Sequence, residues 1–152
     1  MNKYDAVEIL IVEDSPTDVE LTVRALREQN LANEIFIAGD GEEALDFLFC
    51  RGRYSDRNPC KSVRVVFLDL KLPKISGIEV LKEIKNNKNT RYLPVVVVTS
   101  SREDPDIQSA YDLGANSYVV KPVDFDAFRK AMSNAGLYWL LINHPPKISI
   151  KE

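Results

Sequence analysis

Asp69 stands at the end of Val65-Val66-Phe67-Leu68, a run of β-branched, aromatic and aliphatic residues with no polar alternation, and Leu70-Lys71-Leu72-Pro73 follows as a turn. Such a run suits a central parallel strand covered on both faces. Asp69 then leaves the strand at its carboxyl end, the edge at which open parallel α/β sheets bind ligands. Three other apolar runs end in chemistry-bearing side chains: Ile9-Leu10-Ile11-Val12 in Glu13-Asp14, Pro94 to Val98 in Thr99, and Tyr118-Val119-Val120 in Lys121. A common sheet edge gathers these ends into one cleft. Three carboxylates at ~5 Å and an effective dielectric of about 20 repel by roughly 3 kcal/mol per pair, so positive charge must offset them. Mg²⁺ is the expected cation, because it takes few carboxylates, keeps waters and binds phosphate oxygens. Lys121 supplies a mobile point donor for a phosphoryl oxygen.

The chemistry that fits these parts is phosphoryl acceptance. The Asp69 carboxylate attacks phosphorus in line, and Mg²⁺ and Lys121 stabilise the equatorial oxygens of the resulting aspartyl phosphate. Thr99 can then swing its hydroxyl onto the new group. A charge-assisted hydrogen bond contributes roughly 1.5–3 kcal/mol, against the ~5.5 kcal/mol that moves an equilibrium from 1:99 to 99:1. Thr99 and Lys121 together approach that figure, and Tyr118, read at an outward-facing alternate position, is placed to repack when Thr99 moves.

The elements that must position these residues follow in order. Ser15-Pro16 opens a first helix, by a capping side chain and a proline at the first position, with Val19, Val23 and Leu26 on its apolar face. Glu34 to Ala38 reads as a second strand, and Gly39-Asp40-Gly41 opens a second helix bearing Ala44, Leu45, Leu48 and Phe49. Residues Arg51 to Arg64, with Arg53, Arg57 and Lys61 between them, read as a solvated basic surface loop or as a dock for an acidic partner. Ile78, Val80, Leu81 and Ile84 mark a third helix; Asp104-Pro105 starts a fourth, stopped by Gly114; a fifth begins near Asp124 with Phe125, Phe128 and Met132. Five alternations of strand and helix imply a parallel α/β sheet with helices on both faces and right-handed crossovers.

A chain of 152 residues with 45% hydrophobic content supports one domain with a full core. A net charge of −3 gives no field for nucleic acid or anionic membrane. No apolar run is long enough to cross a bilayer and Met1 to Asp5 lack a signal-like region, so a cytoplasmic location is expected. Cys50 and Cys60 lack the paired clusters of a zinc site and read as ordinary thiols.

Glu13-Asp14, Asp69 with Pro73 and Gly77 behind it, Thr99 and Lys121-Pro122 together resemble the receiver domain of two-component response regulators, over roughly Glu8 to Met132. The resemblance implies a flavodoxin-like (βα)5 fold, a three-layer sandwich with strand order 2-1-3-4-5, and phosphotransfer to Asp69 from a sensor histidine kinase. It implies Mg²⁺ held by Asp14, by Asp69, by Glu13 through water and by the backbone carbonyl of Lys71. It also implies a cis Lys121-Pro122 bond and a signalling surface on the fourth helix, fifth strand and fifth helix, which includes Tyr118. Residues 1–143 would form a stand-alone receiver with an insert-like loop at 51–64, and 144–152 a tail. That layout resembles the single-domain regulators of bacterial phytochrome-type sensor kinases. In the family the residue at Lys71 tunes dephosphorylation; a cation there cannot act as a base toward water, so a phosphorylated state that is not especially short-lived is expected.

Taken singly, Asp14 reads as a helix cap, Thr99 as a strand-end hydroxyl and Lys121 as a solvated charge. His144 reads as an exposed tail residue, having no companion ligand. Six consecutive apolar residues, Leu137 to Ile142, cannot all face one core from one helix. They are expected at a homodimer surface, or as an edge segment folded back after a helix break at Gly136. Two rival functions remain. A Mg²⁺-dependent phosphohydrolase or mutase uses the same carboxylate chemistry, but no second aspartate lies two residues after Asp69 and no capping insert is visible. A receiver that is never phosphorylated would not need the complete acid, threonine and lysine set.

Overall fold

A computed structural model describes residues 3–58, 63–122, 124–144 and 146. Strands and helices alternate along the chain: β1 (Val7–Val12), α1 (Pro16–Glu28), β2 (Glu34–Ala38), α2 (Gly41–Leu48), β3 (Val65–Leu68), α3 (Gly77–Asn86), β4 (Val95–Thr99), α4 (Asp104–Asp112), β5 (Ser117–Val120) and α5 (Phe125–Leu137). All strand pairs are parallel, in the order β2-β1-β3-β4-β5. This is the flavodoxin-like sheet that the sequence implies.

Residues 9–12 of β1, all of β3 and residues 95–98 of β4 are apolar because both faces of the sheet are covered there. Leu10, Val12, Val66, Leu68, Val95 and Val97 join Phe47, Leu81 and Ile84 in one core. The alternate residues Ile9, Ile11, Val65, Phe67, Val96 and Val98 join Leu26, Phe128 and Met132 in the other. Side chains two residues apart share a face, so a one-residue slip in any central strand would exchange its contributions to the two cores.

Several local expectations are corrected. The buried face of α1 is Thr22, Ala25 and Leu26, with Val19 and Val23 only half-buried, because α5 lies along that side and Ser133 Oγ donates to the Ala25 carbonyl at 2.7 Å. Phe125, the first residue of α5, is half exposed, whereas Phe128 and Met132 are buried. The segment after α2 is not a plain solvated loop. Tyr54 and Arg57 are buried, Tyr54 in an aromatic group with Tyr4, Phe36 and Phe47. Arg57 lies 4.4 Å over the Phe47 ring and donates to the Phe47 carbonyl, a placement in which a weakly hydrated guanidinium tolerates burial. Arg53 is exposed and pairs with Glu43, and Arg64 pairs with Glu8. Cys50 is a free thiol, while Cys60 and Lys61 fall outside the described residues.

Gly136 does not break α5, which runs on to Leu137 and into a wide turn at Tyr138–Ile142. A methyl group there would stand 2.4 Å from Leu26 Cδ2, so glycine permits close approach of α5 to α1. Of the apolar run, Leu140 is buried by the domain itself, whereas Tyr138, Leu141 and Ile142 are exposed. No peptide bond among the described residues is cis. Lys121-Pro122 is therefore trans, the intrinsically favoured isomer, and not cis as the resemblance implied.

Candidate functional site

Three residues reach the site by prolonging the sheet by one hydrogen bond each. Glu13 N–H donates to Ala38 O at the end of β2, Asp69 N–H to Val12 O at the end of β1, and Lys121 N–H to Thr99 O at the end of β4, at 2.8–3.0 Å. The side chains are thus aimed from backbone that is still part of the sheet. Glycine at 77 lets α3 begin directly against this edge, since a Cβ there would sit 2.1 Å from the Asp69 carbonyl oxygen.

The Lys121 ammonium meets three carboxylates: Glu13 Oε1 at 2.5 Å, Asp18 Oδ2 at 2.7 Å and Asp69 Oδ2 at 3.0 Å. Asp69 Oδ1 accepts from the Lys71 amide at 3.2 Å, and Glu13 Oε2 from the amides of Asp14 and Ser15. Asp14 is exposed and does not cap α1; Ser15 does, accepting from the Asp18 amide. Carboxylate oxygens of Glu13, Asp14 and Asp69 all lie within 4.8 Å of one another. An all-oxygen set of that size is the donor chemistry of a hard divalent cation.

The electrostatics follow from burial and crowding. Glu13 is pushed up to about 7, first by burial and then by Asp69 beside it, with the Lys121 hydrogen bond only partly opposing. Burial also works to raise Asp69, but hydrogen bonds from Lys121 and Glu13, the Lys121 charge and the Lys71 amide together hold it below the usual aspartate range. Lys121 is penalised by burial yet raised overall by Asp18, Glu13 and Asp69. Near neutral pH Asp69 is therefore ionised, while Glu13 holds its proton far more readily than an ordinary glutamate.

Thr99 is fully buried, and its Oγ1 has no hydrogen-bond partner among the described residues. A buried hydroxyl left unpaired costs about 1–3 kcal/mol, which a ligand oxygen arriving beside the end of β4 would recover. Tyr118 is half-buried against the core and does not simply face outward; its hydroxyl donates to the Ser101 carbonyl at 3.0 Å and its ring lies 6.5 Å from that of Tyr111. Ser101 Oγ in turn donates to Asp106 at the start of α4. The loop after Thr99 is thereby tied to both β5 and α4.

The structure thus brings Glu13, Asp14, Asp69 and Lys121 into one nest. The sequence reading missed Asp18. Its signal was the Ser15-Pro16-Thr17-Asp18 spacing, a capping pattern that sets a further carboxylate on the first turn after Glu13-Asp14.

A profile of the response regulator receiver domain matches residues 9–133. The chain is 37% identical over 142 residues to the probable methanogenesis regulatory protein FilR2 of Methanothrix harundinacea (strain 6Ac), covering 93% of this chain and 89% of that protein. The solved structure of the bacteriophytochrome response regulator AtBRR is 51% identical, with a TM-score of 0.70 over 90% of this chain and 96% of that one. That of the Mn²⁺-bound form of response regulator Rcp1 is 35% identical, with a TM-score of 0.84 over 91% and 97%.

Proposed function

The chain belongs to the response regulator receiver domain family of phosphorelay signalling, and we propose that it is a phosphorylation-controlled binding module with Asp69 as phosphoacceptor. The observation that carries this reading is the pairing of Asp69 with the Lys121 ammonium at 3.0 Å, on the same sheet edge as the unpartnered Thr99 hydroxyl. A carboxylate oxygen of Asp69 forms the bond to phosphorus as the bond from phosphorus to the donor's histidine nitrogen breaks. Lys121 orients and neutralises one phosphoryl oxygen, and Thr99 donates to another. Receiver domains take Mg²⁺ or Mn²⁺ at an acidic pocket; in this chain Mg²⁺ would be held by Asp14 and Asp69, by Glu13 through water and by the Lys71 carbonyl. When bound, the ion supplies charge neutralisation for the transferring group.

Receiver domains are phosphorylated by sensor histidine kinases, and the likeness to AtBRR supports a phytochrome-type kinase as donor. Movement of Thr99 would act on the Ser101–Tyr118 link and so on the surface of α4, β5 and α5, where the reading places partner binding. Tyr138, Leu141 and Ile142, exposed beyond α5, support extending that face into a homodimer contact. Residues 1–143 would be the receiver and 144–152 a tail, acting in the cytoplasm, with slow self-catalysed loss of phosphate as the only turnover. No described helix is long and apolar enough to cross a membrane.

The test is incubation with acetyl phosphate and Mg²⁺, comparing the parent with Asp69→Asn by intact mass and by size exclusion. One phosphoryl adduct is expected on the parent, none on the variant, with a shift toward dimer on modification. An adduct of equal yield on the variant would overturn the assignment of Asp69.

A further inference from the structure

Among the three carboxylates on Lys121, Asp18 differs from the other two. Glu13 and Asp69 belong to the oxygen set that suits a divalent cation, which Asp14 completes; Asp18 does not. Metal and phosphoryl group would therefore compete with Lys121 for Glu13 and Asp69 while leaving Asp18 available. The Lys121 side chain is only 14% exposed, so water alone cannot replace the lost partners, and an ammonium left without them would be costly. Asp18 is also free for the task. A carboxylate three residues after a helix cap ordinarily reaches back to the cap residue's amide, but here the Ser15 amide is taken by Glu13 Oε2, and Asp18 Oδ2 turns instead to Lys121 at 2.7 Å.

We infer that Asp18 is a positioning residue, which keeps the Lys121 ammonium aimed at the reacting end of Asp69 once Glu13 and Asp69 have been engaged by other groups. The inference rests on the reading of Asp69 as phosphoacceptor. Its effect belongs to the maximal rate of adduct formation rather than to metal affinity, because Asp18 serves the lysine and not the cation.

The test compares the parent with Asp18→Ala and Asp18→Asn, the latter keeping an acceptor oxygen of the same shape. Three quantities are measured: the rate of adduct formation at saturating acetyl phosphate and Mg²⁺, Mg²⁺ binding by calorimetry, and hydrogen exchange of the Lys121 ammonium by NMR in metal-free protein. Asp18→Ala is expected to lower the maximal rate about tenfold, equivalent to about 1.4 kcal/mol, and to speed ammonium exchange, with Mg²⁺ affinity within about threefold of the parent. Asp18→Asn should keep most of the rate. An Asp18→Ala protein with the parental maximal rate, or one whose rate falls short only below saturating Mg²⁺, would overturn the inference. A parent that takes up no phosphoryl group would instead refute the phosphoacceptor reading, and unchanged ammonium exchange in Asp18→Ala would then refute the anchoring role separately.

Discussion

Gly136→Ala separates two accounts of α5 by the sign of one energy. If glycine merely interrupted a helix, alanine would stabilise the protein by about 1 kcal/mol through helix propensity. The structure predicts the opposite. The new methyl would lie 2.4 Å from Leu26 Cδ2 and 3.3 Å from Leu31 Cδ1, and both leucines are buried, Leu26 completely. Neither can swing into solvent, so α1 and α5 must part or a core rotamer must strain, at about 1–3 kcal/mol. Net of the propensity gain, a destabilisation of about 1 kcal/mol is expected. Leu26→Ala alone should cost about 2–5 kcal/mol, by transfer and cavity terms. In the double variant the methyl added by Gly136→Ala enters the space that the leucine vacated, so the two changes should fall short of additivity by at least about 1 kcal/mol. Urea denaturation followed by fluorescence of Trp139, the single tryptophan, reads this directly because its side chain packs against the same core. A single variant more stable than the parent, with energies additive within about 0.5 kcal/mol, would refute the close-approach argument.

The raised Glu13 carboxyl gives the metal-free protein a pH signature. Its folded value of about 7 stands above the ordinary 4.5, so between those two pH values the folded state holds a proton that the unfolded state has lost, and stability falls as pH rises. Denaturation at pH 5 and pH 8 should show the loss in the parent and not in Glu13→Gln. Added Mg²⁺ should offset it at pH 8, raising the melting temperature, and at pH 6, where Glu13 still holds its proton, metal binding should release protons detectable by calorimetry in buffers of different ionisation enthalpy. Gly77→Ala would set a methyl 2.1 Å from the Asp69 carbonyl oxygen and 2.5 Å from Leu70 Cα. Backbone cannot rotate away as a side chain tip can, so a stability loss of about 3 kcal/mol or more is expected in urea, and an unchanged midpoint would count against the packing of α3 on this edge. Lys71→Asn should shorten the lifetime of the phosphorylated state as followed by intact mass, and a variant no faster than the parent would remove Lys71 from any restraining role.

Much of the architecture was legible from the chain because apolar runs and their breakers are local signals. Val65 to Leu68 and Val95 to Val98 are apolar at every position, which suits strands covered on both faces, and Ser15-Pro16 and Asp124 mark helix starts by the chemistry of free amides. Once all strands run parallel, the residues that follow them must share an edge, which is why Glu13, Asp14, Asp69 and Lys121 were nameable together.

Tertiary structure decided what depends on distances between elements. Nothing in the spacing of Arg57 or Tyr54 says that a basic segment folds back onto Phe47, because a guanidinium is as well served by water as by a ring and a carbonyl until the ring is in place. Gly136 is equally compatible with a helix break and a close approach until Leu26 stands opposite it. The same holds at the site. The strand ends supply one lysine and several acids, but only the meeting of the Lys121 side chain with the amino end of α1 assigns Asp18 to Lys121, and only the folded chain leaves the Thr99 hydroxyl buried with no hydrogen-bond partner among the described residues. Hydrophobic pattern reports which face of an element avoids water; the pairing of charges across elements is a short-range geometric fact, and it exists only once the chain has closed.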